Sequence, residues 1–165
     1  MSWYLLIAMS ALFAVPVSAC AADKTNKIPD ELRAILEKAE SFELLSLSPD
    51  RQKEKSKDDF HGWKVLGKTT VKDVDVRKKL VAAFEKGVEE NDGTVAACFN
   101  PRHGIRVTHD GKTADFVICF ECFQVQALVG DKKPDGFLIT NSPASAFNDV
   151  LKEAKVPLAE SPKEK

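Results

Sequence analysis

The chain has almost no excess of charge. Its 24 basic and 25 acidic residues leave a net charge of -1, so it lacks the field that would draw in nucleic acid or an acidic membrane. Nucleic acid is not expected as a partner. There is no Gly-rich loop between a strand and a helix, which removes sequence support for nucleotide binding. There is no internal repeat. The one long apolar run, from about Trp3 to Val15, is shorter than the ~20 residues of a comfortable transmembrane helix. No Lys or Arg precedes that run, only the α-amino group.

What is present at the N-terminus reads as an export signal. Residues 1–19, MSWYLLIAMSALFAVPVSA, carry no charged side chain, and Pro16 ends the apolar stretch before a group of small residues, as at a signal-peptide cleavage site. Val17-Ser18-Ala19-Cys20 resembles the lipobox of bacterial lipoproteins. That resemblance implies that Cys20 becomes the lipidated first residue of the mature chain and anchors it to a membrane surface without spanning it. Ala21 in place of Asp then points to an outer-membrane destination. The alternative is ordinary cleavage after Ala19 or Ala21, with Cys20 incidental. Either way the expected location is the periplasm or cell envelope.

A chain of 165 residues suits one domain with a proper core. Residues 20–28 read as a tether, 29–155 as a single domain and 156–165 as a disordered tail. Within the domain, PDELRAILEKAE (29–40) reads as a helix with Leu32, Ile35, Leu36 and Ala39 on one face. Strands are expected over 42–49 and 60–71, the latter with Gly62 and Gly67 at bends or bulges. The mixed-sign run DRQKEKSKDD between them reads as a solvated loop. The clearest helix is 74–90, capped by Asp73 or Asp75, with Val76, Leu80, Val81, Phe84 and Val88 inward. Thr94–Phe99 reads as a buried strand, followed by strand 104–109, an Asp110-Gly111 turn and a long strand from Thr113 towards Val129. A turn over Asp131–Gly136, a short strand and a helix over 143–154 complete the chain. This order predicts an α+β fold: a mostly antiparallel sheet of about five to six strands, with three helices packed mainly on one face.

The densest chemistry lies in CFNPRHGIRVTHDGKTADFVICFECF. A two-residue turn at Asp110-Gly111 sets His109 opposite Lys112, Val107 opposite Ala114, Ile105 opposite Phe116 and His103 opposite Ile118. Extended further, Cys98 faces Phe123. The hairpin therefore brings Cys98, His103, Cys119 and Cys122 into one neighbourhood. Four readings stay open. Cys98, His103, Cys119 and Cys122 form a Cys3His set that suits tetrahedral zinc. A disulfide suits an exported protein, from Cys98 to Cys119 or Cys122. Buried inert thiols are common in cores. Cys119-Phe120-Glu121-Cys122 also has the spacing of a redox pair. In a flat strand Cys119 and Cys122 point to opposite faces and lie beyond disulfide reach, so a bond or a shared ion requires a bulge or a turn at Phe120-Glu121. Phe123 stands where C-x-x-C zinc loops usually carry Gly. Arg102 is read as an anion ligand or, preferably, as a loop-fixing partner of an acid such as Glu121. His61 and His109 read as surface or packing residues.

The stretch GWKVLGKTTVKD…VAACFNPRHGIRVTHDGKTADFVICFECFQV resembles small exported bacterial proteins with a Cys…Pro-Arg-His-Gly…Asp-hydrophobic-Ile-Cys-Phe-x-Cys pattern. The likeness spans roughly residues 60–125. It implies that Cys98, Arg102, His103, Cys119 and Cys122 act as a unit, and it implies no activity. The leading expectation is a non-catalytic envelope domain that binds an unidentified envelope protein or ligand, with the cluster as metal site or staple. The alternative is a thiol-dependent enzyme using Cys119 or Cys122 with His103.

Overall fold

The computed structural model describes residues 26–51, 56–130 and 135–160. The expected signal peptide, Cys20, most of the tether, part of the charged loop, residues 131–134 and the last five residues lie outside the described residues. In chain order the elements are α1 (Asp30–Glu37), β1 (Ser41–Arg51), β2 (Asp59–Phe60), β3 (Trp63–Thr70), α2 (Val74–Glu89), β4 (His103–His109), β5 (Lys112–Cys119), β6 (Gln124–Val129), β7 (Asp135–Leu138) and α3 (Ala144–Glu153).

The strands form one antiparallel sheet in the order β2-β3-β1-β4-β5-β6-β7. Asp110 and Gly111 both adopt positive φ, 49° and 70°, as a two-residue hairpin turn requires. The register from His109↔Lys112 to His103↔Ile118 is the one the turn predicts.

The strand count is seven, not five to six, for three reasons. The expected strand 60–71 is broken at His61-Gly62 (φ 53° and 86°), a second tight turn that makes β2 and β3 a hairpin. The expected long strand from Thr113 to Val129 is broken at residues 120–123 into β5 and β6. In the other direction, Thr94–Phe99 is irregular. Both edges of β4, β5 and β6 are already paired, so this segment has no edge there to join. The Gly67 expectation corresponds to a real irregularity: Ser46 pairs with Gly67 but Leu47 with Val65, one extra residue on β3.

Alternation along the strands divides the buried residues into two clusters. Phe42 and Leu44 of β1, Ile105 and Val107 of β4, and Ala114, Phe116 and Ile118 of β5 share one cluster with the buried residues of all three helices. Phe84 of α2 sits at its centre, fully buried, with ring centroids 5.7 Å from Phe116, 6.1 Å from Phe137 and 6.3 Å from Phe147. The intervening residues Leu45, Leu47 and Val117 pack with Phe60 and Trp63 in the second cluster, against which Phe99 and Val65 lie. There the sheet curls back on itself, so that the β2–β3 turn reaches β5.

Local chemistry explains the helix boundaries. Asp73 Oδ1 accepts hydrogen bonds from Asp75 N at 2.8 Å and Val76 N at 3.1 Å, so Asp73 is the cap that satisfies two otherwise unpaired amides. Those two bonds hold its carboxyl below the usual range. Residues 156–160, assigned to the tail from sequence, are described: Val156 and Leu158 pack against the main cluster. At the other end Asn26, in the expected tether, donates to Val88 O and Leu138 O, both at 2.7 Å.

Candidate functional site

The site lies where β4 begins and β5 ends. Strand β5 stops at Cys119, and residues 120–123 turn the chain into β6, with Cys119 paired to Gln124. Phe123 takes φ 58°, the left-handed region that a bulky residue seldom adopts. It therefore performs the turn for which Gly is the usual choice. The turn brings the Cys119 and Cys122 Cα atoms to 5.2 Å and the two sulfurs are bonded at 1.98 Å. Both cysteines are buried, 1% and 0% exposed.

Cys98 is a free, exposed cysteine. It arrives on the irregular 94–102 segment, which hydrogen bonds pin to the turn and to the start of β6. Gln124 Nε2 donates to Ala96 O at 2.7 Å and to Cys98 O at 3.1 Å, and Ala96 N donates to Cys122 O at 3.1 Å. The result is a Cys98 thiol whose sulfur lies 3.2 Å from Cys122 Sγ. The backbone completes the surroundings. Asn100 N–H points to Cys122 Sγ at 3.3 Å, Cys122 N–H points to Cys119 Sγ at 3.2 Å, and Asn100 O lies 3.4 Å from Cys119 Sγ.

His103 stands elsewhere. It is paired with Ile118 and shares its face of the sheet, whereas Cys119, the next residue, leaves the opposite face. The His103 ring packs edge-on against Phe120 and Phe147, with centroids at 5.1 and 6.1 Å, and its Nε2–H donates to Asn148 Oδ1 at 2.9 Å. Burial pushes its pKa down to about 4, against the hydrogen bond to Asn148, and the Arg102 charge adds to the lowering. It is a neutral, packed imidazole at neutral pH.

The expected zinc set of Cys98, His103, Cys119 and Cys122 is therefore not assembled as one cluster. A sulfur in a disulfide has no thiolate to give a metal, and His103 faces the other side of the sheet. Among the described residues, no group of three His, Cys, Asp or Glu is placed to hold a metal ion. The same geometry separates His103 from the thiols it would have to assist as a base.

Arg102 forms an ion pair with Glu121, the residue between the bridged cysteines, and its Nε donates to Glu160 O at 3.1 Å. Thus the bridge loop, the start of β4 and the 156–160 segment are tied together. Beside this tie is a pocket of about 250 Å³, bounded by Asn100, Arg102, Glu121, Asn141 and Asn148 among others. Its polar residues are three asparagines, His103, one cation and one carboxylate, and Phe120, Ala144, Leu158 and Ala159 complete the lining.

A second constellation escaped the sequence reading. Asp115, 7% exposed, accepts from Arg106 and also from His61 Nε2, the last at 2.7 Å. Burial opposes ionisation of Asp115, but these hydrogen bonds outweigh it and hold its carboxyl below the usual range. The signal was available: the predicted hairpin register sets Arg106 opposite Asp115, and a charge within an otherwise apolar strand needs a partner. His61 could not be found that way, because its reach depends on the curl of the sheet.

Fold and site together define an α+β domain whose hairpin loop is closed by a C-x-x-C disulfide, with a third cysteine against it. No family model, curated protein or solved structure matches this chain.

Proposed function

We propose that this chain is an exported domain, held at a membrane surface through lipidated Cys20, that binds another component of the cell envelope. In this reading the three helices cover one face of the sheet, and the Cys119–Cys122 bridge staples the loop bounding the polar pocket. The observation that carries it is that bridge, buried and bonded. A disulfide of this kind persists in an oxidising compartment and is rare in a reducing one, in keeping with a leader that reads as an export signal. The pocket supplies the binding surface: amides from Asn100, Asn141 and Asn148 beside the Arg102–Glu121 pair suit a small polar group presented by the ligand, because they offer donors and acceptors with little net charge.

Two measurements test this. Expressed with its own N-terminus in a bacterial host, the chain partitions with membranes and Cys20→Ser moves it to the soluble exported fraction. Unchanged partitioning of the variant sinks the anchor. Intact mass after alkylation without reductant shows one alkylated cysteine and one bridged pair in the mature Cys20→Ser chain. One bound zinc per chain with no bridge would replace the staple by a metal site.

A further inference from the structure

The three cysteines divide the work of an exchange reaction between them. Cys119 and Cys122 are bonded but buried, so an outside thiol cannot reach either sulfur directly. Cys98 is exposed and its sulfur lies 3.2 Å from Cys122 Sγ. We propose that Cys98, Cys119 and Cys122 form a thiol–disulfide exchange centre in which Cys98 is the gateway, oxidising cysteine thiols of other exported polypeptides. This goes beyond the binding reading and stands whether or not Cys20 carries lipid.

The chemistry balances without a further reagent. The Cys98 thiol loses its proton to solvent, and its thiolate attacks Cys122 Sγ. A Cys98–Cys122 bond forms, the Cys119–Cys122 bond breaks, and Cys119 leaves as a thiolate. The leaving sulfur is already served by the backbone. Cys122 N–H, 3.2 Å from Cys119 Sγ, stabilises the thiolate, and once that sulfur takes a proton, Asn100 O at 3.4 Å can accept it. The bond has then moved to the surface without net oxidation or reduction.

In the second step a substrate thiolate attacks the exposed Cys98 sulfur and forms a mixed disulfide, and Cys122 leaves as a thiolate. Asn100 N–H, 3.3 Å from Cys122 Sγ, stands ready for that charge. A second substrate thiolate attacks the substrate sulfur of the mixed disulfide, the bond to Cys98 breaks, and Cys98 leaves as a thiolate that takes a proton from solvent. The substrate departs as a disulfide, and the protein keeps three thiols. Two electrons pass from substrate to protein, one disulfide being transferred per chain. Each buried sulfur therefore has its own backbone donor for the step in which it is the leaving group.

The test uses the full mature chain in the Cys20→Ser background, with reduced glutathione as the probe, quenched in acid and mapped by trypsin. Cleavage after Arg102, Arg106 and Lys112 puts Cys98 on one peptide and Cys119 with Cys122 on another, so the two bond arrangements give different products. The expected result is glutathione on Cys98, with thiols released at Cys119 and Cys122. Cys98→Ser, a change at an exposed position, should slow loss of the Cys119–Cys122 bond at least tenfold. Cys119→Ser should yield the Cys98–Cys122 cross-linked peptide. Glutathione found on Cys119 or Cys122, or equal rates in Cys98→Ser and its parent, would overturn the proposal. If Cys119→Ser does not fold, the comparison with Cys98→Ser decides alone.

Discussion

Arg106 grips Asp115 with two parallel hydrogen bonds, Nε to Oδ1 at 2.8 Å and Nη2 to Oδ2 at 2.7 Å. The same guanidinium lies over the Phe60 ring, 5.2 Å from its centroid, and His61 from the same turn completes the acceptor capacity of Oδ2. One carboxylate thus fastens the curled-over β2–β3 turn to β4 and β5. Asp115→Asn keeps the shape but removes the charge that both partners address. Hydrogen bonds to charged groups contribute about 1.5–3 kcal/mol, and a loss of that size is expected in urea unfolding. Arg106→Lys should lose most of the same amount, because an ammonium cannot replace the two-pronged contact. A loss below about 0.5 kcal/mol for both would show that the turn is held by apolar packing alone.

Acid should act on the protein in two separate windows. His103 has its folded-state pKa lowered to about 4, against about 6.5 in an unfolded chain. The unfolded state therefore takes up a proton that the folded state refuses, and stability falls as pH drops from about 6.5 towards 4, then levels. The size is on the order of 3 kcal/mol, from about 1.4 kcal/mol per pH unit. Asp115 has a lowered folded-state pKa, so its contribution is fully present above the unfolded carboxylate value and is lost only as pH falls through the folded one, below about 3.9. Comparing urea midpoints at pH 7 and pH 4.5 for the parent and His103→Gln isolates the first window. The parent should lose more stability between the two pH values than the variant does. Equal losses would mean that His103 is not held neutral by burial.

Gly87 lies within α2, where Ala ordinarily gains up to about 1 kcal/mol over Gly. Here the sign should reverse. A Cβ at Gly87 would come within 2.6 Å of Pro143 Cγ and 3.1 Å of Ile139 Cγ1. Pro143 is a rigid ring at the start of α3, and Thr140 N donates to Gly87 O at 2.8 Å, so neither neighbour yields easily. Overpacking of this kind costs about 1–3 kcal/mol. Gly87→Ala should therefore lower the melting temperature, whereas Ala at exposed Gly93, which has positive φ and open space around it, tests backbone strain without a clash.

The central hairpin was legible because its cause is local. Asp110-Gly111 sets the turn, and every cross-strand pair through His103↔Ile118 follows by counting. The breaks that turned two expected strands into four were harder to see. Gly62 marked the first break only as a bend, and at the second Phe123 adopts positive φ although it is not Gly, so composition did not mark that turn. Thr94–Phe99 has the apolar content of a strand, but strand formation needs a free sheet edge, and edges are settled only by the whole topology. The register correctly set His103 opposite Ile118, one residue from Cys119, across the hairpin. Alternation then put His103 and Cys119 on opposite faces, so proximity along the hairpin did not become a shared site. The bend at residues 120–123, by contrast, is what the C-x-x-C spacing requires for the two sulfurs to meet.

Gln124 holds the geometry on which the exchange proposal depends. Its amide nitrogen reaches Ala96 O at 2.7 Å and Cys98 O at 3.1 Å, and it is the residue paired with Cys119 across the hairpin loop. Its side-chain amide bonds to backbone carbonyls and takes no part in the exchange itself, so it is a positioning residue. Gln124→Ala removes two donors from a segment that has no strand partners of its own. Amide exchange at residues 96–98 should rise, and alkylation of Cys98 should accelerate as its sulfur leaves Cys122. Bond migration to Cys98 should slow several-fold, while the Cys119–Cys122 bridge remains formed. A residue that merely supported the fold would change the melting temperature and unfold the segment with the rest. Here the unfolding free energy should fall by about 1 kcal/mol or less, the range of one or two partly exposed hydrogen bonds, while the exchange rate changes far more. Unaltered migration alongside faster alkylation would separate the two effects and remove Gln124 from the exchange geometry.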